Sequence, residues 1–303
     1  MILTEDGKVF ACGANDEGQL GLGDNDERNT FTAVPPLPDG KVAKQVVAGS
    51  SHTMILAEDG TVFACGYNQD ALLGLGDDNG RNTFTAVPPL PDDKVAKQVV
   101  PGGYHTMILA EDGTVFACGW NGNGQLGLGD DDSRKTFTAV PPLPDGKVAK
   151  QVVAGSEYTM ILTEDGTVFA CGSNVDGQLG LGDSFPKTTF NAINLDDKKK
   201  VKQVVAGNYH TMILAEDDTV FACGDNEKGG LGLGDDNDRD TFIKSSLPGG
   251  KVAKQMFAGF EHTIIIAEDN TVFGCGSNKN GQLGLEDVDK INKFTRIYLD
   301  DLN

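Results

Sequence analysis

"CGWNGNGQLGLGDD" occupies Cys118–Asp131, and the near copies "CGANDEGQLGLGDN" and "CGSNVDGQLGLGDS" begin at Cys12 and Cys171. One such glycine-rich segment suits a phosphate-binding loop, but that reading needs a strand before it and a helix after it. No helical pattern follows any copy. The repetition asks for a structural explanation first: the six cysteines stand at 12, 65, 118, 171, 223 and 275, with gaps of 53, 53, 53, 52 and 52. A period near that length suggests propeller blades or a solenoid.

Within a repeat the apolar segments are short: "TFTAV" (Thr30–Val34), "KVAKQVVAG" (Lys41–Gly49), "HTMILAEDG" (His52–Gly60) and "TVFACG" (Thr61–Gly66). Each has strand length and β-branched or aromatic content. Glu58-Asp59-Gly60 lies between two of them, and "DG", "DD" or "DN" recurs at its equivalents. Asp, Asn and Gly tolerate the positive φ of a tight hairpin. Four antiparallel strands per repeat follow, apolar on both faces, as in small sheets covered on each side by neighbours. The expected fold is an all-β propeller of four-stranded antiparallel blades in a single domain spanning 1–303. Gly-Gln-Leu-Gly-Leu-Gly then joins the third and fourth strands. There Gly21, Gly74, Gly127 and Gly180 permit a sharp turn and close approach of neighbouring backbone, with Leu20 and Leu22 as apolar anchors.

Composition agrees. The chain has 303 residues, 39% hydrophobic and 23% charged, with 40 glycines and 12 prolines, too much glycine for a mainly helical protein. It contains no run of apolar residues long enough for a helical membrane span and opens without a secretory signal pattern, so a soluble intracellular protein is expected. Its formal charge of −20 opposes contact with the DNA backbone and favours basic protein partners or simple solubility.

"GQLGLG", "CG-x-N", the V-x-x-V-x-x-G-x-x-H-T spacing leading to Gly49, His52 and Thr53, and "DG-x-V-x-x-CG" together resemble the regulator of chromosome condensation repeat across essentially the whole chain. The resemblance implies a β-propeller, typically seven-bladed. It implies function more loosely, because the family includes a Ran nucleotide-exchange factor, a plant ultraviolet-B photoreceptor, ubiquitin-ligase domains and bacterial effectors acting on host small GTPases. Met1 corresponds to Met54, Met107, Met160 and Met212, so the chain opens inside a second strand; 23 strands are counted where six full blades require 24. Two readings stand: six blades, one of them closed by strands from both termini, or a fragment of a seven-bladed ring.

Candidates for chemistry have structural readings. The cysteines share one strand position and lack ligand spacing, so buried reduced thiols are expected and a metal is not. His52, His105, His210 and His262 occupy one repeat position, with Tyr158 in the remaining copy, which suits hydrogen bonds tying loop to strand rather than catalysis. Acidic clusters after the glycine loops, such as Asp24-Asn25-Asp26-Glu27 and Asp130-Asp131-Asp132, lack the distal glutamate of a calcium loop and read as solvated charge, weak calcium sites being the rival. No hydrolase or transferase constellation and no cofactor motif stands out.

Recognition is therefore sought where the repeats differ. Strand alternation puts the first-to-second and third-to-fourth connections at one end of a blade. There, before the histidine position, come Ser50-Ser51, Gly103-Tyr104, Ser156-Glu157, Asn208-Tyr209 and Phe260-Glu261; after "CG" come Ala14, Tyr67, Trp120, Ser173, Asp225 and Ser277. Tyr67, Tyr104, Trp120, Tyr209, Phe260 and the exceptional Phe185 are the candidate partner contacts, since aromatic anchors amid charge make interfaces. At the other end Lys198–Lys200 replaces "PLPDG". The resemblance makes a Ran-like or Rab-like GTPase the leading partner. The Ran exchanger carries an inserted wedge that the regular 52–53 spacing excludes, and the photoreceptor has tryptophans just before its His-Thr motif, where this chain has Ser51, Tyr104, Glu157, Tyr209 and Glu261. An exchange factor and a non-GTPase scaffold or effector remain as alternatives, in the cytoplasm, the nucleus or, for a secreted effector, a host cytosol.

Overall fold

The computed structural model describes residues 1–195, 198–286 and 288–298. Their secondary structure is β-strand, with single 3-10 turns in the Pro-rich links. Two compact units emerge, 1–159 and 160–303.

The first unit opens on a three-stranded sheet of β1 (Ile2–Leu3), β2 (Val9–Gly13) and β3 (Arg28–Ala33). A four-stranded sheet follows, β4 (Ala43–Ala48), β5 (His52–Ala57), β6 (Val62–Gly66) and β7 (Arg81–Ala86). The next holds β8 (Ala96–Pro101), β9 (His105–Ala110), β10 (Val115–Gly119) and β11 (Arg134–Ala139). β12 (Ala149–Ala154) completes the unit, whose boundary falls inside β13 (Tyr158–Thr163).

The second unit contains β14 (Val168–Gly172) and β15 (Lys187–Ala192), which finish the sheet ordered β12-β13-β14-β15. Two further four-stranded sheets follow. One is β16 (Val201–Ala206), β17 (His210–Ala215), β18 (Val220–Gly224) and β19 (Arg239–Ser245); the other is β20 (Ala253–Ala258), β21 (His262–Ala267), β22 (Val272–Ser277) and β23 (Lys290–Ile297). These are the antiparallel blades of an all-β propeller, 23 strands among the described residues. Among the described residues no sheet mixes strands from the two termini. The N-terminal sheet is built from the first three strands alone.

The hairpin between second and third strands forms as its residues dictate. Leu56 faces Val62, and Gly60 takes φ 86°; where glycine is replaced, Asp218 and Asn270 take φ 68° and 64°. These are residue types that enter the left-handed region at least cost. The third and fourth strands meet with a bulge, as between Ala117 and Gly119. Both faces of the full sheets are buried: Met54, Leu56 and Val62 pack with Ile108, Phe116 and Phe137 of the next sheet, and Met212, Leu214 and Val220 with Ile265 and Phe273.

Candidate functional site

The motifs that set the period form joints between sheets. Gly21 has φ 68°, and a Cβ there would lie 2.3 Å from the ring of Phe84 in the following sheet; Gly74 against Phe137 and Gly180 against Phe242 repeat this at 2.4 and 2.3 Å. Gly127 has φ 69°. Close approach in these loops is thus to an aromatic ring, and it is at Gly18, 2.6 Å from the Cα of Asn82, that backbone presses on backbone. Leu20 is buried, whereas Leu22 is half-exposed and bridges Thr83 through its backbone. Each such bridge extends a loop along the neighbouring outer strand, which otherwise presents an open edge.

The Thr and Cys of a sheet both reach back to the preceding glycine loop. Thr106 donates its hydroxyl proton to the Leu72 carbonyl (2.8 Å), and the Cys118 thiol points at the same oxygen (3.5 Å). His52 Nε2 lies 3.0 Å from Thr106 Oγ1, His105 Nε2 2.8 Å from Thr159 Oγ1 and His210 Nε2 3.0 Å from Thr263 Oγ1. A hydroxyl has one proton, and Thr106, Thr159 and Thr263 spend theirs on carbonyls. Nε2 must therefore carry the imidazole proton and donate it. Nδ1 of His52 and His105 is then a bare, buried acceptor without a hydrogen-bond partner. Burial lowers the pKa to about 4 for His52 and His210, and, with His52 nearby, to about 3 for His105. These imidazoles are neutral at physiological pH. His262, half-buried, is also held down by burial.

Glycine three residues earlier makes room for each ring: a Cβ on Gly49 would sit 2.6 Å from His52 Cε1, and one on Gly155 would sit 1.9 Å from the Tyr158 ring. The cysteines are all free thiols, and burial raises the pKa of Cys65 and Cys118. Among the described residues no group of three or more His, Cys, Asp or Glu is arranged to hold a metal ion.

The acidic loops are internally clipped. Asp24 receives Arg28 Nη2 (2.6 Å), the Asp26 N–H (3.0 Å) and Asn15 Nδ2 (3.2 Å), while Asn15 Oδ1 accepts the Leu20 N–H (2.9 Å). Asp77–Arg81, Asp130–Arg134 and Asp235–Arg239 repeat the clip at 2.6–2.7 Å, and Lys187 replaces the arginine beside Asp183. Arg28 accordingly holds the Asp24 pKa below the usual carboxylate range. The leading aspartate of each cluster is a fastener, whereas Asp26, Glu27, Asp131 and Asp132 face solvent. The sequence carried the signal as an Asn and an Asp nine residues apart with Arg or Lys four further on.

The variable loops meet at one end of each blade, because the residue after "CG" donates its N–H to the carbonyl just before the histidine position: Tyr67 to Ser51, Trp120 to Tyr104 and Asp225 to Tyr209, each 2.9 Å. In the first unit this brings Tyr104 and Trp120 together edge to face, ring centroids 6.0 Å apart. Tyr104 is 43% exposed and Trp120 half-buried. Tyr67, half-buried, donates its hydroxyl to Asp70 (3.2 Å), and burial raises its pKa. The indole is seated over Gly122, where a Cβ would be 2.4 Å from it. Sister repeats carry Asp16, Gln69, Val175, Glu227 and Lys279 at that place, a pairing of large with small that sequence reading missed. In the second unit Tyr209 and Phe260 form a similar pair at 6.3 Å, Phe260 being 62% exposed. Phe185 is 72% exposed and belongs to neither pair.

Carboxylates occupy the same variable loops. Glu157 accepts a hydrogen bond from Asn123 (2.9 Å), and burial raises its pKa; Asp225 is raised likewise by burial, with Asp238 and Glu227 adding repulsion. At the opposite end of the blades lysines pair with hairpin aspartates, Lys94 with Asp112 (2.6 Å) and Lys251 with Asp269 (2.5 Å). Lys199 pairs there with Asp217, and Lys200 with Asp165 at 3.6 Å. Among the described residues no helix is long and apolar enough to cross a membrane.

Comparison with known proteins places these features. Residues 85–302 match the RCC1-like domain, and residues 6–56 and 59–109 match the regulator of chromosome condensation repeat. The chain is 30% identical to the ultraviolet-B receptor UVR8 of Arabidopsis thaliana over 93% of its own length and 64% of the receptor's. It is 33% identical to the human X-linked retinitis pigmentosa GTPase regulator over 80% of its length, spanning 28% of that protein. The crystal structure of Prp20p from Saccharomyces cerevisiae superposes with a TM-score of 0.84 at 23% identity, over 98% of this chain and 74% of that one. The repeat, the clipped glycine loops and these matches establish that the chain belongs to the RCC1-like domain family of β-propeller proteins.

Proposed function

We propose that this chain is a protein-interaction propeller that binds, and thereby regulates, a small GTPase of the Ran or Rab type through the variable loop ends of its blades. The observation carrying the reading is the pair of edge-to-face aromatics, Tyr104–Trp120 in one unit and Tyr209–Phe260 in the other, standing among carboxylates in loops where sister repeats have serine or alanine. Exposed aromatic anchors supply most of the energy of protein interfaces, and an acidic surround selects a basic partner surface. One relative is named a GTPase regulator, and the Prp20p structure was published with its binding properties to Gsp1p and histones, which supports a GTPase before other basic partners. No DNA contact and no cofactor belong to this reading. An intracellular setting follows from the partner, cytoplasmic or nuclear, or a host cytosol for a secreted effector.

Capture and fluorescent-nucleotide release are measured across a panel of small GTPases. One GTPase is captured, and Tyr104→Ala/Trp120→Ala and Tyr209→Ala/Phe260→Ala each weaken capture by about tenfold or more at unchanged melting temperature. Retained capture in both double variants refutes the assignment of these loops. Because repeat spacings of 52–53 leave no inserted wedge, nucleotide release stays at its basal rate; accelerated release instead identifies an exchange factor.

A further inference from the structure

Asparagine followed by glycine is a thermolabile pair, because glycine has no Cβ to hinder its amide nitrogen from closing on the asparagine side chain. The chain holds four such pairs: Asn79–Gly80, Asn121–Gly122, Asn123–Gly124 and Asn280–Gly281. Ring closure needs two free groups, the asparagine amide carbon and the glycine N–H. At three of the pairs the fold withholds one or both.

Asn121 is fully buried: Nδ2 donates to the Asp130 carbonyl (2.9 Å) and carboxylate (3.1 Å), and Oδ1 accepts the Leu126 N–H (2.9 Å). Asn123 donates Nδ2 to Glu157 (2.9 Å), and the Gly124 N–H is spent on the Asn121 carbonyl (2.8 Å). Asn280 is exposed, but the Gly281 N–H donates to the Asn278 carbonyl (2.9 Å). Asn79 and Gly80 are both exposed. There the hydrogen bonds fall on other atoms: the Asn79 N–H donates to Asp77 Oδ1 (2.9 Å), and the Asn79 carbonyl accepts Asn68 Nδ2 (3.0 Å) and Arg81 Nη1 (2.6 Å). Neither the Asn79 side-chain amide nor the Gly80 N–H has a hydrogen-bond partner among the described residues.

We propose that Asn79 is a self-modification site, at which the folded protein deamidates through a succinimide formed with Gly80. The Gly80 nitrogen gives its proton to water and attacks Asn79 Cγ. The bond from Cγ to the side-chain nitrogen breaks, and ammonia leaves with a proton taken from water. Water then opens the ring: addition at Cγ leaves aspartate, and addition at the main-chain carbonyl leaves isoaspartate, whose backbone runs through Cγ. The net change consumes one water and releases one ammonia.

The two products differ in what they do to the loop. Sister repeats carry Asp26 and Asp132 at this place, each donating its N–H to the leading aspartate (3.0 and 3.1 Å), so aspartate is accommodated. Isoaspartate lengthens the main chain by one carbon between the Asp77 and Arg81 ends of the clip. The carbonyl at 79 then no longer meets Asn68 and Arg81 together, and the loop loosens.

The test ages the full chain at mildly alkaline pH and follows the four pairs by peptide mass spectrometry and by methyl labelling with an isoaspartyl methyltransferase. Asn79 converts about tenfold ahead of the other three in native buffer, where bonded groups react only through local opening, whereas in urea all four convert at similar rates. Asn79→Gln removes the early isoaspartate label. The aged, isoaspartate-bearing fraction unfolds at a lower urea midpoint, while Asn79→Asp keeps the midpoint of the parent. Conversion of Asn79 no faster than that of Asn121 or Asn280, or an early label that survives Asn79→Gln, overturns the proposal.

Discussion

Ala71 holds its backbone at φ 61°, at a place where the sister loops use Gly18, Gly124, Gly177, Gly229 and Gly281 with φ between 71° and 80°. A Cβ in this region costs about 1 kcal/mol. Ala71→Gly is therefore expected to raise unfolding free energy by about 1 kcal/mol, read as a higher urea midpoint at unchanged slope. The adjacent Leu72 stands where Gln19, Gln125, Gln178 and Gln282 each turn a side-chain oxygen toward a backbone N–H two residues earlier. This loop has lost that closure and gained a buried leucine. At this scale the sequence was readable where a residue broke a pattern, as Tyr67 and Trp120 do. It was silent where the reason lay across the chain, as with the Phe84 ring that excludes a side chain from Gly21.

The histidine–threonine bonds act between elements, and they make stability depend on pH. His52, His105 and His210 have folded-state pKa values of about 4, 3 and 4 against an ordinary 6.5, so between those limits the unfolded chain binds more protons. Their contribution is present in full above pH 6.5 and is lost as pH falls toward 4. Asp59, Asp112, Asp217 and Asp269, held at about 2 by their lysine partners, lose theirs only below about 3.8. Glu157 and Asp225, raised by burial, act in the opposite sense in mildly acidic solution. Three shifted imidazoles outweigh two carboxyls, and the urea midpoint is expected to fall from pH 7 to pH 4.5. His105→Gln flattens that slope, whereas an unchanged slope would refute the neutral, buried tautomer. Strand lengths, hairpins and blade order were legible because they depend on neighbours in sequence. The Thr–carbonyl–Cys joint was not, because its partners stand 34 and 46 residues apart.

Across the whole molecule the charge of −20 survives the internal clips, since each clip removes one carboxylate and one cation together. Capture of a basic partner is therefore steered electrostatically. Its association rate is expected to fall about tenfold between roughly 0.05 and 0.5 M NaCl while dissociation changes less, measurable by surface plasmon resonance. A salt-independent rate would remove the acidic loops from recognition and leave the aromatic pairs alone. The interlocking of His52 with Thr106, and of Thr106 with the loop behind His52, bears on how such a chain can lengthen. A repeat that carries a plug on one flank and the matching socket on the other can be copied in tandem without a new joint being invented. The nearly unchanged KVAKQVV, HTMIL and TVFACG segments are what gene duplication leaves when every duplicate fits at once, while only the solvent-facing loops are free to drift toward new partners.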